Sequence, residues 1–216
     1  YNAVDGRRFD PEALTDSRIA QRRVWRVKNS DVVFLFVAHN LRLKNLTLLQ
    51  KAFARIHQSF PQAKLAVVGK RHPPFVAPYL IYSGFTPFPE QVYAGADVLV
   101  HPTFYDAFAN VVLEAMSCAL PVLVSDNAGA GELVTEGHEG RVLPVTGTRT
   151  DVGTWADAVI ELTQDQGRRE SMGKAARQTA LKHPLDAYIT EFERVIEATD
   201  RAPVQSSGHS VAGLLK

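Results

Sequence analysis

The chain has 216 residues, of which 45% are hydrophobic, and this is enough to bury a sizeable core in one large domain, with or without appendages. Its formal net charge of +1 gives no electrostatic reason to expect nucleic acid or an anionic surface as a partner. The single cysteine, Cys118, excludes an internal disulfide, and no apolar run approaches the roughly 20 residues that a membrane-spanning helix needs.

The amino-terminal part of the chain is polar and strongly basic. Residues 1–11 are rich in turn-forming residues and are predicted to form a linker or lead-in. Because the sequence starts at Tyr1 rather than Met, we expect a fragment or a processed product. Residues 11–28 have Pro near their start and apolar residues spaced among many charges, which predicts a helix. We expect the arginines of this helix to form a solvated basic face.

Apolar runs then alternate with amphipathic segments. The run 32–37 is apolar at every position, which is typical of a strand covered on both faces in a parallel sheet. Strands are predicted at 32–37, 64–69, 80–83, 97–101, 121–125 and 140–144. Further helices are predicted at 46–60, 89–96, around Glu114, and at 151–164, 167–181 and 185–199. The pattern predicts an α/β fold, a Rossmann-like doubly wound parallel sheet with a helical C-terminal region, over residues 12–199. The patternless segment 200–216 is expected to be a flexible tail.

Cationic side chains follow two of the predicted strands. Arg42 and Lys44 come after the first strand and just before a helix, and Lys70 and Arg71 come after the second. Loops at the carboxyl ends of parallel strands form the ligand crevice of such sheets, so these cations are candidates for binding an anion. The alternative is that each loop is a solvated basic turn. The G-x-G-x-x-G fingerprint of dinucleotide-binding folds is absent, which disfavours a nicotinamide or flavin cofactor.

Two carboxylates flank a predicted helix start in the stretch 101–121. Asp106 lies in the loop after a strand, and Glu114 lies eight residues later, inside the helix. The free N–H groups of a helix N-terminus favour anions, so this stretch predicts a phosphate site. Asp106 has an alternative role as a helix cap, whereas Glu114 stands among apolar residues where an unpartnered carboxylate is costly. His101, at a strand end, is expected to be a satisfied structural histidine.

These residues carry a resemblance to a known family. Asp106 and Glu114 are separated by seven residues, and Ala115-Met116-Ser117-Cys118-Ala119-Leu120-Pro121-Val122 and Gly129-Ala130-Gly131-Glu132 follow. This order resembles the donor-binding, C-terminal half of a GT-B-fold family 4 (group 1) retaining glycosyltransferase. The match runs over about residues 1–145. Within the family it resembles the lipopolysaccharide-core glucosyltransferase type.

The resemblance implies a separate role for each acidic residue, together with backbone contacts. Asp106 would accept hydrogen bonds from hydroxyls of the donor sugar, and Glu114 would bind the ribose hydroxyls. The backbone N–H groups implied to meet the sugar and the distal phosphate at the helix start belong to Phe108, Ala109 and Asn110, next to Val111.

The same resemblance assigns the diphosphate and the base. Lys44 would neutralise the diphosphate leaving group together with Arg42 or with Lys70 and Arg71, and it joins Asp106 and Glu114 as an expected catalytic residue. Gly84 and Phe85 would line the base. The expected donor is a UDP-hexose, with no cofactor and no metal.

Three positions depart from the family pattern. Asp106 replaces a glutamate, Asn110 stands where the family usually has glycine, and His39 stands where many members have a phosphate-binding arginine. The shorter acid changes the reach of the carboxylate, and Asn110 crowds the approach of the backbone to a phosphate. The departures at Asn110 and His39 keep open a non-catalytic nucleotide-sugar-binding module or subunit, and a nucleotide-sugar epimerase is a further alternative.

The whole protein is expected to transfer a hexose, with retention, to an acceptor such as a lipopolysaccharide or another glycan. The acceptor site of such enzymes lies in an N-terminal domain, for which this chain offers no candidate, so we expect the chain alone to bind donor but to be inactive. The expected location is cytoplasmic, or peripheral at the inner face of the membrane through the missing half. Nucleic acid is not expected as a partner.

Overall fold

The chain folds around one parallel β-sheet. The computed structural model describes residues 2–200, except for the side chains of residues 149–150 and 197–200. Within this range the sheet has six strands in the order β3-β2-β1-β4-β5-β6, and every neighbouring pair is parallel. The strands are β1 Val32–Val37, β2 Ala63–Val68, β3 Leu80–Gly84, β4 Val98–His101, β5 Val122–Ser125 and β6 Gly140–Leu143. The predicted α/β, doubly wound parallel sheet is confirmed.

Helices connect the strands and cover both faces of the sheet. They are α1 Thr15–Val24, α2 Leu46–Ile56, α3 Pro89–Gly95, α4 Asn110–Ser117, a 3₁₀ turn at Gly129–Leu133, α5 Arg149–Gln164, α6 Gln166–Ala180 and α7 Leu185–Asp200. The first helix is four residues shorter at each end than predicted. It ends where Trp25 turns into the core and Arg26 takes a positive φ of 54°. No helix in the described part of the chain is long and apolar enough to cross a membrane.

Alternating side chains of β1 build two cores. Phe34 and Phe36 point to the face covered by α2 and α5, where Trp155 is fully buried. Val33 and Leu35 belong to the opposite core, with residues of α3, α4 and α6. This alternation follows from the two-residue period of a strand, and burial on both faces explains why the whole run is apolar.

The basic face of α1 is not fully solvated, contrary to the prediction. Arg22 is buried and donates to the carboxylate of Asp97 at 3.0 Å and to the carbonyl oxygen of Asp31 at 2.7 Å. Arg18 donates to the same carboxylate at 2.6 Å. Asp97 also accepts a 2.7 Å bond from the backbone N–H of Val33. The arginines therefore fix α1 to the amino ends of β1 and β4, opposite the ligand edge of the sheet.

The lead-in segment packs against the domain. Val4 and Phe9 are buried, and the N–H of Val4 donates to the carbonyl oxygen of His183 at 3.0 Å. The hydroxyl of Ser117 donates to the carbonyl oxygen of Phe9 at 3.1 Å. Of the predicted tail 200–216, residue 200 ends α7, and 201–216 lie outside the described residues.

The strand order places a crevice between β1 and β4. The chain runs outward from β1 to β3 and then returns to β4 on the other side of β1, so the loops after β1 and β4 diverge. This divergence opens a cleft at the carboxyl ends of the strands, where ligands of such sheets bind. Gly69 lines one wall of this cleft. Its backbone lies so close to Ala38 that a Cβ there would be 2.0 Å from the carbonyl oxygen of Ala38.

Candidate functional site

A cavity of about 740 Å³ lies in this crevice. Its walls are the loops after β1 and β2, the loop from β3 into α3, the loop between β4 and α4, and the first turns of α4. The volume is in the range of small-molecule sites. The residues proposed from the sequence that line it are Lys44, Phe85, Asp106, Phe108, Ala109, Asn110, Val111 and Glu114.

Asp106 is the centre of a charged cluster in the cavity. Its Oδ2 is in contact with Nζ of Lys44 and lies 3.4 Å from Nε2 of His101, and its Oδ1 accepts a 3.3 Å bond from the backbone N–H of Phe108. The imidazole of His101 and the ammonium group of Lys44 hold the pKa of Asp106 well below its usual value, although burial opposes them. The carboxylate is therefore ionised near neutral pH.

His101 is the most buried member of this cluster. Its side chain is 1% exposed, and Nε2 makes no hydrogen bond of good geometry to any described residue. Burial lowers the pKa of His101 below its usual 6.5, so the ring is mainly neutral at pH 7. The expectation of a satisfied structural histidine is wrong at this atom, which faces the ligand cavity.

Glu114 is held by a tyrosine. The hydroxyl of Tyr93, on α3, donates to Oε2 of Glu114 at 2.7 Å. Burial raises the pKa of Glu114 above its usual value, against the effect of this hydrogen bond. Burial, with the neighbouring Glu114, raises the pKa of Tyr93 well above its usual value, so the phenol keeps its proton and donates it. The carboxylate is thus presented to the cavity in a fixed orientation.

Helix α4 starts at the cavity without a side-chain cap. Ala109, which precedes it, has φ 64° and ψ 79°, and no described side chain caps the helix. The capping role considered for Asp106 is not observed, because its carboxylate binds the N–H of Phe108 instead of the first turn. Uncapped N–H groups at a helix N-terminus are suited to an anion.

Asn110 is bound to the lead-in segment. Nδ2 of Asn2 donates to Oδ1 of Asn110 at 2.5 Å, and both residues line the cavity. With its oxygen occupied, Asn110 has its NH₂ group left to offer a ligand, and an NH₂ group is compatible with an anion. The side chain that departs from the family glycine is therefore oriented by a specific partner.

The loop between β4 and α4 is fixed by the neighbouring loop after β5. The N–H of Gly129 donates to the carbonyl oxygen of Asp106 at 2.9 Å, and a Cβ at Gly129 would lie 2.0 Å from the carbonyl oxygen of Ala107. The hydroxyl of Ser125 donates to the carbonyl oxygen of Thr103 at 2.7 Å. Asp106 is consequently placed by the backbones of two loops, and glycine is required where they meet.

The other candidates lie outside the lining of this cavity. Arg42 and Arg71 line a separate cavity of about 310 Å³. Nζ of Lys70 lies over the ring of Phe85, 5.1 Å from its centroid, which puts Lys70 at the margin of the main cavity. Gly84 ends β3 with φ +73°. Among the cations predicted to meet at one anion, the structure therefore brings Lys44 into the cavity.

Sequence reasoning missed two contributors. Tyr93 lies 21 residues before Glu114 and on another helix, so no spacing links them. Asn2 meets Asn110 across 108 positions. The location of His101 at the carboxyl end of β4, beside the crevice, is a signal that would have identified it as a cavity residue.

The chemistry of the cavity defines a class of protein. One lysine, one uncapped helix N-terminus and two carboxylates suit a ligand that has an anionic group and several hydroxyls. Among the side chains that the structure describes, no three His, Cys, Asp or Glu residues are grouped as candidate metal ligands. The fold and the site thus describe a Rossmann-like domain with a cavity for a hydroxyl-rich anion.

Comparison with known proteins identifies the family. Residues 17–179 match the model of the family described as Glycosyl transferases group 1, and the chain belongs to this family. It is 31% identical over 182 residues to D-inositol 3-phosphate glycosyltransferase of Kribbella flavida, covering 74% of this chain and 42% of that protein. It is 30% identical over 203 residues to sulfoquinovosyl transferase SQD2 of Arabidopsis thaliana, covering 88% of this chain and 37% of that protein.

Solved structures share the fold. A structure of WaaG, a glycosyltransferase involved in lipopolysaccharide biosynthesis, matches with a TM-score of 0.74 and 22% identity over 85% of this chain and 52% of that chain. Anabaena HepE in complex with UDP and glucose matches with a TM-score of 0.77 and 21% identity over 94% and 56%. The resemblance seen in the motifs is confirmed as membership of a GT-B-type family. The chain spans about half the length of these structures, or less than half of the curated relatives.

Proposed function

We propose that this domain binds the nucleotide-diphosphate sugar that serves as donor in a hexosyl transfer. The observation that carries the proposal is the meeting of Lys44, Asp106 and Glu114 with the uncapped start of α4 in one cavity. Glu114 accepts the ribose hydroxyls, Lys44 and the N–H groups of α4 bind the diphosphate, and Asp106 accepts hydroxyls of the sugar. Each group suits the chemistry of its part of the donor.

The contribution of this domain to the reaction is electrostatic. When the bond between the sugar and the diphosphate breaks, negative charge develops on the leaving phosphate. Lys44 and the N-terminus of α4 line the same cavity and stabilise that charge once the donor is bound. Transfer with retention, and the lipopolysaccharide or other glycan as acceptor, are extended from the family resemblance to this chain.

The acceptor site is assigned to the part of the whole protein that corresponds to the uncovered half of its relatives. The chain covers 42% of the Kribbella relative and 37% of the Arabidopsis relative. We therefore expect the domain alone to bind donor and to show little or no transfer. We place the whole protein in the cytoplasm or at the inner face of the membrane.

The expected base is uracil. Phe85 lines the cavity with its side chain half-exposed, which offers an aromatic surface for a base. The related fold of Anabaena HepE was solved with UDP and with UDP-glucose. The aromatic surface suits any base, and the UDP complexes of this fold neighbour favour a uridine donor.

The proposal is tested by calorimetric titration of the domain with UDP-glucose, ADP-glucose and GDP-mannose. UDP-glucose is expected to bind at least about 10-fold more tightly than the other two, a difference of roughly 1.4 kcal/mol. Free glucose serves as the control, and its binding should be undetectable. If none of the three nucleotide sugars binds, the proposal is wrong.

The Asn2–Asn110 hydrogen bond yields a further expected result. Replacing Asn2 by alanine releases the Asn110 side chain, which then obstructs the start of α4, and UDP should bind about fivefold more weakly, the effect of roughly one hydrogen bond. In an Asn110→Gly background the Asn2→Ala change should have no effect on the Kd. Titration of the four proteins gives the coupling, and equal losses in both backgrounds would exclude this role for Asn2.

A further inference from the structure

Lys44 and Asp106, which the proposed function assigns to different parts of the donor, form an ion pair with each other. Nζ of Lys44 contacts Oδ2 of Asp106, with the two side chains 18% and 21% exposed. The other carboxylate oxygen, Oδ1, accepts from the N–H of Phe108. In the proposed function Lys44 binds the diphosphate and Asp106 binds the sugar, so a donor has to separate them.

We infer that the Lys44–Asp106 ion pair is a latch that couples diphosphate binding to sugar recognition. This inference rests on the proposed donor function. The diphosphate draws Lys44 away from Asp106, and the released carboxylate then accepts hydroxyls of the sugar. A free nucleoside diphosphate also separates the pair, but it has no sugar hydroxyls to donate to the released Asp106. The site therefore binds the donor more tightly than the nucleoside diphosphate product.

Charge and reach both allow this exchange. A diphosphate has at least two negative charges and Asp106 has one, so the ammonium group favours the ligand where solvent is largely excluded. A lysine has a flexible four-carbon stem and binds as a point charge, which lets it move between two anions that lie close together. Lys44, Asp106 and the start of α4 line the same cavity, so Lys44 moves between its two anions within that cavity.

His101 supplies the replacement partner. Its ring is almost fully buried, and its Nε2 lies 3.4 Å from Oδ2 of Asp106 without a hydrogen bond among the described residues. Once Lys44 withdraws, the carboxylate is no longer held by the ammonium group and turns toward His101, so that Oδ2 accepts from Nε2 in the tautomer that carries a proton there. Leaving a buried polar atom without a partner costs free energy. When Lys44 has left Asp106, the new bond to His101 therefore offsets part of the free energy lost with the ion pair. His101 is therefore a positioning residue for Asp106.

The latch has a consequence for turnover. After transfer the sugar no longer engages Asp106, and the carboxylate competes again with the diphosphate for Lys44. Recapture of Lys44 lowers the affinity for the nucleoside diphosphate product. The same ion pair thus favours binding of the donor and release of the nucleoside diphosphate product.

The decisive variant is Asp106→Asn, titrated with UDP. The amide frees Lys44, so UDP should bind about fivefold more tightly than to the wild type, while the advantage of UDP-glucose over UDP should fall. In a Lys44→Met background the same Asp106→Asn change should give no gain. Weak binding by the lysine variants is measured by NMR titration at millimolar UDP.

Other outcomes overturn the inference in distinguishable ways. If the wild type binds UDP and Asp106→Asn binds it equally well or more weakly, the latch is contradicted and the donor site stands. A gain that persists fully in the Lys44→Met background shows direct repulsion between Asp106 and phosphate instead of a latch. If the wild type binds neither UDP nor UDP-glucose, the proposed function fails together with the inference.

His101→Phe tests the positioning role separately. This change keeps an aromatic ring in the buried position and removes Nε2. UDP affinity is expected to stay within about twofold, whereas the ratio of UDP-glucose to UDP affinity should fall about fivefold. A general loss of packing would weaken both ligands equally and would contradict the assignment.

Discussion

Replacing Glu114 by glutamine is expected to weaken UDP-glucose binding about 30-fold, or roughly 2 kcal/mol, while making the free domain more stable. The binding loss follows because two hydrogen bonds from ribose hydroxyls to a charged carboxylate become bonds to a neutral amide. Glutamine has the same size and still accepts from the hydroxyl of Tyr93, so the cavity should keep its shape. Calorimetric titration measures the affinity.

The gain in stability follows from the raised pKa of Glu114. Because Glu114 is buried, the folded protein holds its proton more tightly than the unfolded chain does. The free energy of unfolding therefore falls as pH rises from below 4.5, the usual pKa of Glu, through the raised pKa of the folded state. The amide is neutral at every pH. Urea unfolding at pH 7 should therefore show a larger free energy of unfolding for Glu114→Gln. The difference from the wild type should shrink as pH falls below the folded pKa, where Glu114 is protonated.

Glu193→Gln is the matched control, because Glu193 is exposed on α7. It should change neither the Kd for UDP-glucose nor the stability profile attributed to Glu114. Two results would contradict the assignment of Glu114 to the ribose. One is unchanged donor affinity in Glu114→Gln, and the other is a loss of affinity accompanied by a loss of stability.

The sheet was predictable because its strands are buried on both faces. The run 32–37 is apolar at every position and coincides with β1, and the predicted strands 64–69 and 80–83 each fall within one residue of those observed. Such runs depend on burial alone, which the residue types report directly. Helix ends were less predictable. The end of α1 depends on the packing of Trp25 and on the hydrogen bonds of Arg22 to distant residues.

The two acids of the site were predictable, but their partners were not. Asp106 and Glu114 were identified by spacing within one loop and one helix, which is local information. Glu114 is fixed by Tyr93, and Asp106 is fixed by loops that meet only in the folded sheet. Pairing between such elements is set by the topology, so a single sequence contains no local signal for it.

The choice among the cations shows the same limit. Arg42 and Lys44 are two residues apart in one loop, and both satisfy the sequence pattern for an anion site. The loop turns through Asn45, which has φ 59° immediately before α2. Lys44 enters the main cavity, whereas Arg42 lines the neighbouring one. The two cations therefore have different expected outcomes on substitution, a large loss of affinity for Lys44 and little change for Arg42.

Lys44→Met is expected to weaken both UDP and UDP-glucose about 100-fold, or roughly 3 kcal/mol. The variant removes the ammonium group that the proposed function assigns to the diphosphate. The affinity of the wild type for UDP should fall when salt is added, because salt screens the attraction between charges. The salt dependence of the Kd should be smaller in the variant. Titrations at two ionic strengths measure both effects.

Arg42→Met and Lys51→Met are the matched controls. Arg42 shares the loop with Lys44 but lines the other cavity, and Lys51 is exposed on α2, so each should change the Kd for UDP less than about threefold. A loss in Arg42→Met equal to that in Lys44→Met would show that the loop rearranges and that both cations bind the diphosphate. An unchanged Kd in Lys44→Met would remove the lysine from the site. It would also leave the uncapped start of α4 as the anion-binding element of the cavity, because the backbone N–H groups there do not depend on the lysine.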